Sequence, residues 1–286
     1  MRYIVTGSSD IGISKKVNQD AVSVKVADTF YGEVVLAVLC DGMGGYEQGE
    51  VASASVIQAF NRWFLDVFLQ SMEYMDEMRI FSDMGNIVSN INNRIYQYGL
   101  GEGIVIGTTL TALLIFMDKY YIVNVGDSRA YELGESICRI TRDHSFVEEE
   151  ILKGRMTREE ARLDKRKNRL TRCIGCTSRV KPDFYSGITR TNAIYMLCSD
   201  GVRNKVDDNE LFYFLHPSCL TDEDVMENNT RYIYELNKMR YENDNMSIVL
   251  VRAVDTGETD ILCNSGPVIK REIVQMESDK YISAKE

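Results

Sequence analysis

Residues 36–50 read LAVLCDGMGGYEQGE: five apolar residues run into an aspartate, and three glycines follow within the next four positions. With Val34 and Val35 ahead of it, the run spells a buried strand over Glu33–Cys40. Its end delivers Asp41 to the rim of a core, where a carboxylate is held rigidly yet reaches water. Gly42, Gly44 and Gly45 let the backbone approach an ion or ligand closely.

The same habit recurs along the chain. Asp127 follows YYIVNVG, Asp200 follows AIYMLCS, Asp244 stands just before MSIVLV, and Asp20 precedes AVSVKV. One strand-end aspartate reads as an ordinary turn residue. Five, three of them joined to glycine, point to a shared site of hard oxygen ligands. With only two histidines in the chain, such a set favours magnesium or manganese over zinc or copper. The same scarcity argues against a Ser/His/Asp mechanism.

Around these acids the apolar periodicity alternates between strand and helix. Strand-like runs lie at Ala21–Val26, Thr108–Phe116, Tyr120–Val125, Ala130–Leu133, Ile137–Ile140, Val180–Gly187, Ala193–Cys198 and Met246–Val251. Met117-Asp118-Lys119 reads as the turn of a hairpin. Helical spacing occupies Glu50–Leu69, Met84–Tyr98 with a stop at Gly99, Asn209–Leu215 and Asp222–Lys238. From Asp143 to Arg172 the chain is charged and helical, a solvated insertion or flap. Beyond Val254 the pattern fades into a tail. Clustered strands with helices between them favour an α+β fold, an antiparallel core covered by helices.

The bulk numbers narrow the function. The 286 residues are 44% hydrophobic and 27% charged, with a net charge of −10, which fits one continuous domain and disfavours nucleic acid or an acidic membrane as a partner. No apolar run reaches the ~20 residues of a membrane span, and the start lacks a signal-peptide layout, so a cytoplasmic protein is expected. Seven irregularly spaced cysteines fit reduced thiols, Cys173 and Cys176 included.

Taken in order, KKVNQD, VLCDGMGG, GTTLTALLI, VNVGDSRAY, ITRDHS, LTRCIG, MLCSDGV and NDNMSIVLV resemble the motifs of the metal-dependent protein phosphatase 2C family, in its bacterial serine/threonine branch. The resemblance runs from about Gly12 to Val251. It implies a four-layer α/β/β/α sandwich, two antiparallel sheets flanked by helices, with a catalytic domain over 1–254, a flap at about 145–170 and an appendage over 255–286. It implies hydrolysis of phosphoserine and phosphothreonine in proteins phosphorylated by a serine/threonine kinase, through attack of a metal-bridging water or hydroxide on phosphorus.

The same resemblance assigns the site residues. Asp41 bridges two Mn2+ or Mg2+ ions and the carbonyl of Gly42 faces the second. Asp200 and Asp244 complete the first, Asp20 supports the second, and Asp127 helps Asp200 hold a third, weaker ion. The family places an arginine five residues before the first aspartate to clamp substrate phosphate. Lys15 stands there instead, keeping the charge without the bidentate fork, and is the expected catalytic and substrate-binding cation. Gln19 replaces a glutamate, and Met43 a histidine found in eukaryotic relatives. Lys15 and Gln19 leave open a second reading, a phosphoprotein-binding module of pseudophosphatase type, without turnover.

Overall fold

A computed structural model describes residues 1–44, 48–255, 266–277 and 281–282; Gly45 of the glycine run therefore lies outside the described residues. Three strands open the chain, β1 (Arg2–Asp10), β2 (Asp20–Thr29) and β3 (Gly32–Gly44), followed by α1 (Gly49–Trp63) and α2 (Glu77–Glu102). Then come β4 (Ile106–Thr108), β5 (Leu110–Phe116), β6 (Lys119–Val125), β7 (Arg129–Leu133) and β8 (Ile137–Arg139). The flap holds two short helices, α3 (Phe146–Leu152) and α4 (Arg158–Leu163). The chain closes with β9 (Asp183–Ile188), β10 (Ile194–Cys198), α5 (Asp200–Arg203), α6 (Asp208–Phe214), α7 (Glu223–Met239), β11 (Met246–Val254) and β12 (Val268–Gln275).

The strands form two antiparallel sheets, one ordered β1-β11-β10-β7-β8, the other β12-β2-β3-β5-β6-β9 with β4 paired to the end of β3. The apolar run that opened the reading shows why these sheets are stacked and covered. Along β3 the side chains alternate: Val35, Ala37 and Leu39 face the space between the sheets, while Val34, Leu36, Val38 and Cys40 pack against α1 and α2. Both faces are buried, so the strand is apolar throughout. Tyr131, Met196, Ile248 and Leu250 form a third apolar layer with Leu211, Met226 and Ile233 of α6 and α7. Three apolar interfaces between four layers are the α/β/β/α sandwich.

Several boundaries differ from the sequence reading, each for a physical reason. Helix α2 begins at an Asp76 cap, whose carboxylate accepts the Arg79 N–H at 2.8 Å, and ends at Gly103 (φ 68°). Gly99 is a buried interior residue instead of a stop; a Cβ there would meet the Ile104 carbonyl at 2.8 Å. Of the predicted Met117-Asp118-Lys119 turn, Met117 and Asp118 form the loop, both at positive φ (49° and 59°) as a two-residue hairpin between twisted strands requires, and Lys119 already belongs to β6. Strand β1 and strand β12 escaped the sequence reading, because polar RYIVTGSSD and charged VIKREIVQ are edge sequences that owe their conformation to a partner strand. Cys173 and Cys176 are disulfide-bonded, Cα atoms 5.9 Å apart, which corrects the expectation of free thiols; the intervening Ile174 is held by paired backbone hydrogen bonds to Thr108 (3.0 and 2.9 Å). Among the described residues, no helix is long and apolar enough to cross a membrane.

Candidate active site

The site follows from the alternation of the strands. Residues that face the inter-sheet space are apolar in mid-strand and turn polar at one end: Val22 gives way to Asp20, Leu39 to Asp41, Val249 to Ser247 and Leu197 to Ser199. Asp20 and Asp41 are directly opposed across β2 and β3, and opposed side chains lie on one face about 5 Å apart at Cβ.

Their backbones are pinned. The Asp41 N–H donates to Thr109 Oγ1 (2.9 Å), and its carbonyl accepts from the Thr109 N–H (2.9 Å) and Thr108 Oγ1 (3.0 Å). The Gly42 N–H donates to the Gln19 carbonyl at 3.1 Å. A side chain at Gly42 would strike the carbonyls of Gly49 and Gln19, and one at Gly201 the carbonyl of Asn245. These glycines draw the Asp20, Asp41, Asp200 and Asp244 segments together.

Burial and the repulsion of neighbouring carboxylates act on Asp41, Asp20, Asp200 and Asp127. Burial, then the Asp20 and Asp200 charges, raise Asp41 well above the usual carboxylate range. Burial also lifts Asp20 to about 6, against hydrogen bonds from Ser247 and Ser199. Asp200 rises to about 7 through burial and the neighbouring Asp127 charge. Asp127 is raised too, by burial first, with Arg203 pulling the other way.

Each acid that finds a partner is turned toward it. Lys15 Nζ is 2.7 Å from Asp244 Oδ1, Arg203 Nη2 is 3.2 Å from Asp127 Oδ2, and Ser247 Oγ donates to Asp20 Oδ2 at 2.6 Å. Consequently no group of three or more acidic, cysteine or histidine side chains among the described residues is drawn around one point ready to hold an ion. The donor set nonetheless fits a hard divalent cation. Oδ1 of Asp20 and Oδ1 of Asp200 are buried without any partner, as is Oε2 of Glu50 in the first turn of α1. A buried unpaired carboxylate oxygen costs free energy that a cation recovers.

All the aspartates read from the sequence, Asp20, Asp41, Asp127, Asp200 and Asp244, thus interact at one end of the sandwich, with Gly42 among them and Lys15 at its mouth. Lys15 is held above its ordinary range: burial lowers it, and the Asp244 hydrogen bond with the Asp41 and Asp200 charges more than offsets that. The sequence reading gave no role to Thr108, Thr109, Ser199 and Ser247, although they stand inside the quoted motifs GTTLTALLI, MLCSDGV and NDNMSIVLV, nor to Glu50, nor to Arg203, whose place three residues after Asp200 was the one available signal.

A cleft of about 630 Å³ runs from Asp127 and Arg203 to the flap, where Arg158, Arg162 and Lys167 line it. Behind Asp127, His144 Nδ1 accepts the Gly126 N–H (3.1 Å) and Nε2 faces Asp183 Oδ2 (3.2 Å). That pattern fixes the neutral tautomer with the proton on Nε2, and burial lowers the imidazole further. His144 is a strut for the Gly126-Asp127 turn.

Comparison with known proteins agrees with this geometry. The family model described as protein phosphatase 2C matches residues 7–229. The serine/threonine phosphatase stp of Listeria monocytogenes is 31% identical over 179 residues, which cover 62% of this chain and 69% of that protein. The serine/threonine phosphatase structure from S. agalactiae superposes with a TM-score of 0.77 at 26% identity, covering 89% of this chain and all of that one. The catalytic domain of PstP in complex with two manganese ions superposes at 0.69 and 28% identity, covering 89% and 100% of the respective chains.

Proposed function

The chain belongs to the protein phosphatase 2C family, and on that premise we propose that its aspartate rim binds two divalent cations, Mn2+ or Mg2+, to hydrolyse phosphoserine and phosphothreonine in proteins. It is a serine/threonine protein phosphatase of the bacterial type. The observation that carries the site assignment is the pairing of Asp20 with Asp41 across two strands, beside Asp200, with two buried carboxylate oxygens lacking any partner.

In this reading Asp41 would serve both ions and the Gly42 carbonyl the second, Asp200 and Asp244 would complete the first, and Asp20 would support the second. When bound, such ions neutralise phosphoryl oxygens and bring the pKa of the attacking water toward neutrality. The protein's own task is positional. Thr108 and Thr109 lock the Asp41 backbone, and Ser247 orients Asp20. For Asp244 to serve, Lys15 must let go of it. Lys15 is exposed at the mouth of the site, so its released ammonium can meet the substrate phosphate as a point charge. The catalytic domain is assigned to 1–254 with the flap at about 145–170, and 255–286 is an appendage that contributes β12. The substrates proposed are cytoplasmic proteins phosphorylated by a serine/threonine kinase.

Phosphate release from phosphoserine and phosphothreonine peptides with added Mn2+ tests the proposal. Asp41→Asn and Asp200→Asn should each lower kcat by well over the roughly 10–100-fold that loss of a mere supporting partner costs. Binding of phosphopeptides without any release would favour the binding-module reading instead.

A further inference from the structure

Arg203 is a largely buried cation beside the aspartate rim that the chemistry so far leaves without a role. It sits at the end of α5, and its Nη2 donates to the backbone carbonyl of Asp127 at 2.8 Å while lying 3.2 Å from Asp127 Oδ2 and 3.9 Å from Asp143 Oδ2. Asp143 is already claimed on both oxygens by Arg129, at 2.8 and 2.7 Å, and draws in Arg139 at 3.6 Å. The guanidinium groups of Arg203, Arg129 and Arg139 and the carboxylates of Asp127 and Asp143 thus form one charge cluster in the wall of the cleft. A guanidinium does not lose its proton in a protein, so the charge beside Asp127 is permanent. The Arg203 Nε–H is buried and unpartnered.

The resemblance to the phosphatase family gave Asp127 and Asp200 to a third, weaker metal ion. The residues present do not fit one. An ion at Asp127 would stand against a fixed like charge, and it would have to take a carboxylate that already has a partner. Asp20 and Asp200, by contrast, each keep a free buried oxygen. We infer that the Arg203 guanidinium fills the third cation position, so that this chain binds divalent ions only around Asp41. Arg203 is then a positioning residue: it holds Asp127 and, through the Asp127 charge, tempers Asp200.

The inference rests on the ligand assignment of the preceding section, and one titration separates the two. Mn2+ bound per chain is measured by equilibrium dialysis with electron paramagnetic resonance of the free ion, up to millimolar concentration. The wild type should saturate at about two ions, and Asp127→Asn should do the same. Arg203→Gln should gain one further, weaker ion, which the double variant Arg203→Gln/Asp127→Asn loses again. Arg203→Lys, which keeps the charge, should stay at the wild-type count. A third ion on the wild type that Asp127→Asn removes would overturn the inference, as would an unchanged count in folded Arg203→Gln. Should Arg203→Gln fail to fold by circular dichroism, the comparison of wild type with Asp127→Asn decides alone. An Asp41→Asn variant that still binds the full complement would instead sink the ligand assignment, and the inference with it.

Discussion

Asp200 begins α5 with one carboxylate oxygen buried and unpaired, and Asp20 shares that condition across the site. Their folded-state values, about 7 and about 6, lie above the 3.8 of an unfolded aspartate. Between about pH 4 and 7 the unfolded chain therefore ionises first, while the folded chain still holds these protons. A folded state that binds more protons loses stability as pH rises. Metal-free protein should thus be less stable at pH 8 than at pH 5 by about 2–4 kcal/mol and melt at a correspondingly lower temperature. Added Mn2+ should raise the melting temperature more at pH 8 than at pH 5, because it favours the ionised carboxylates. Asp200→Asn should flatten the metal-free profile; a variant with the slope of the wild type would show that the cost lies elsewhere. The motif aspartates were legible at this scale because each follows or precedes an unmistakable strand. Arg203 was not, since one arginine in a sequence says nothing of what it touches.

Strand β3 links burial to chemistry. Leu39 is fully buried between the sheets, two residues before Asp41 on the same face. Leu39→Ala should cost about 2–5 kcal/mol by opening a cavity, seen as a lower denaturant midpoint, and should weaken Mn2+ binding because the Asp41 end of the strand loses its anchor. Unchanged ion affinity in a destabilised variant would separate the core from the site. On α2, Asp76→Ala removes the cap and should cost about 1 kcal/mol without touching phosphate release. The alternation that placed these residues was readable from period alone. The ends of the elements were not: Gly99 looked like a stop, but the close approach of Ile104 demands a glycine inside the helix, and that approach exists only after folding.

At the scale of the molecule, β12 pairs with β2 through Arg271–Gln275 and Lys25 reaches Glu272. The strand covers what would otherwise be the open edge of the second sheet. Gln275 ties it to Ser9 of β1, donating to the carbonyl at 2.9 Å and accepting the N–H at 2.9 Å, and so links the two sheets. Removal of residues 266–286 should lower the melting temperature by several degrees and promote association through the bared edge, while phosphate release at low temperature persists. Full thermal stability after truncation would refute that role. The sequence by itself determined the antiparallel α+β character, the five aspartates and the oxygen-rich chemistry, because period and strand-end position are local properties. The flanking polar strands β1 and β12, the Cys173–Cys176 bond and the partners of each aspartate were decided only in three dimensions. They depend on which residues distant in the chain become neighbours. Asp127 reads the same in one dimension whether it faces an ion or Arg203; only the packing of α5 against the Gly126-Asp127 turn chooses between them.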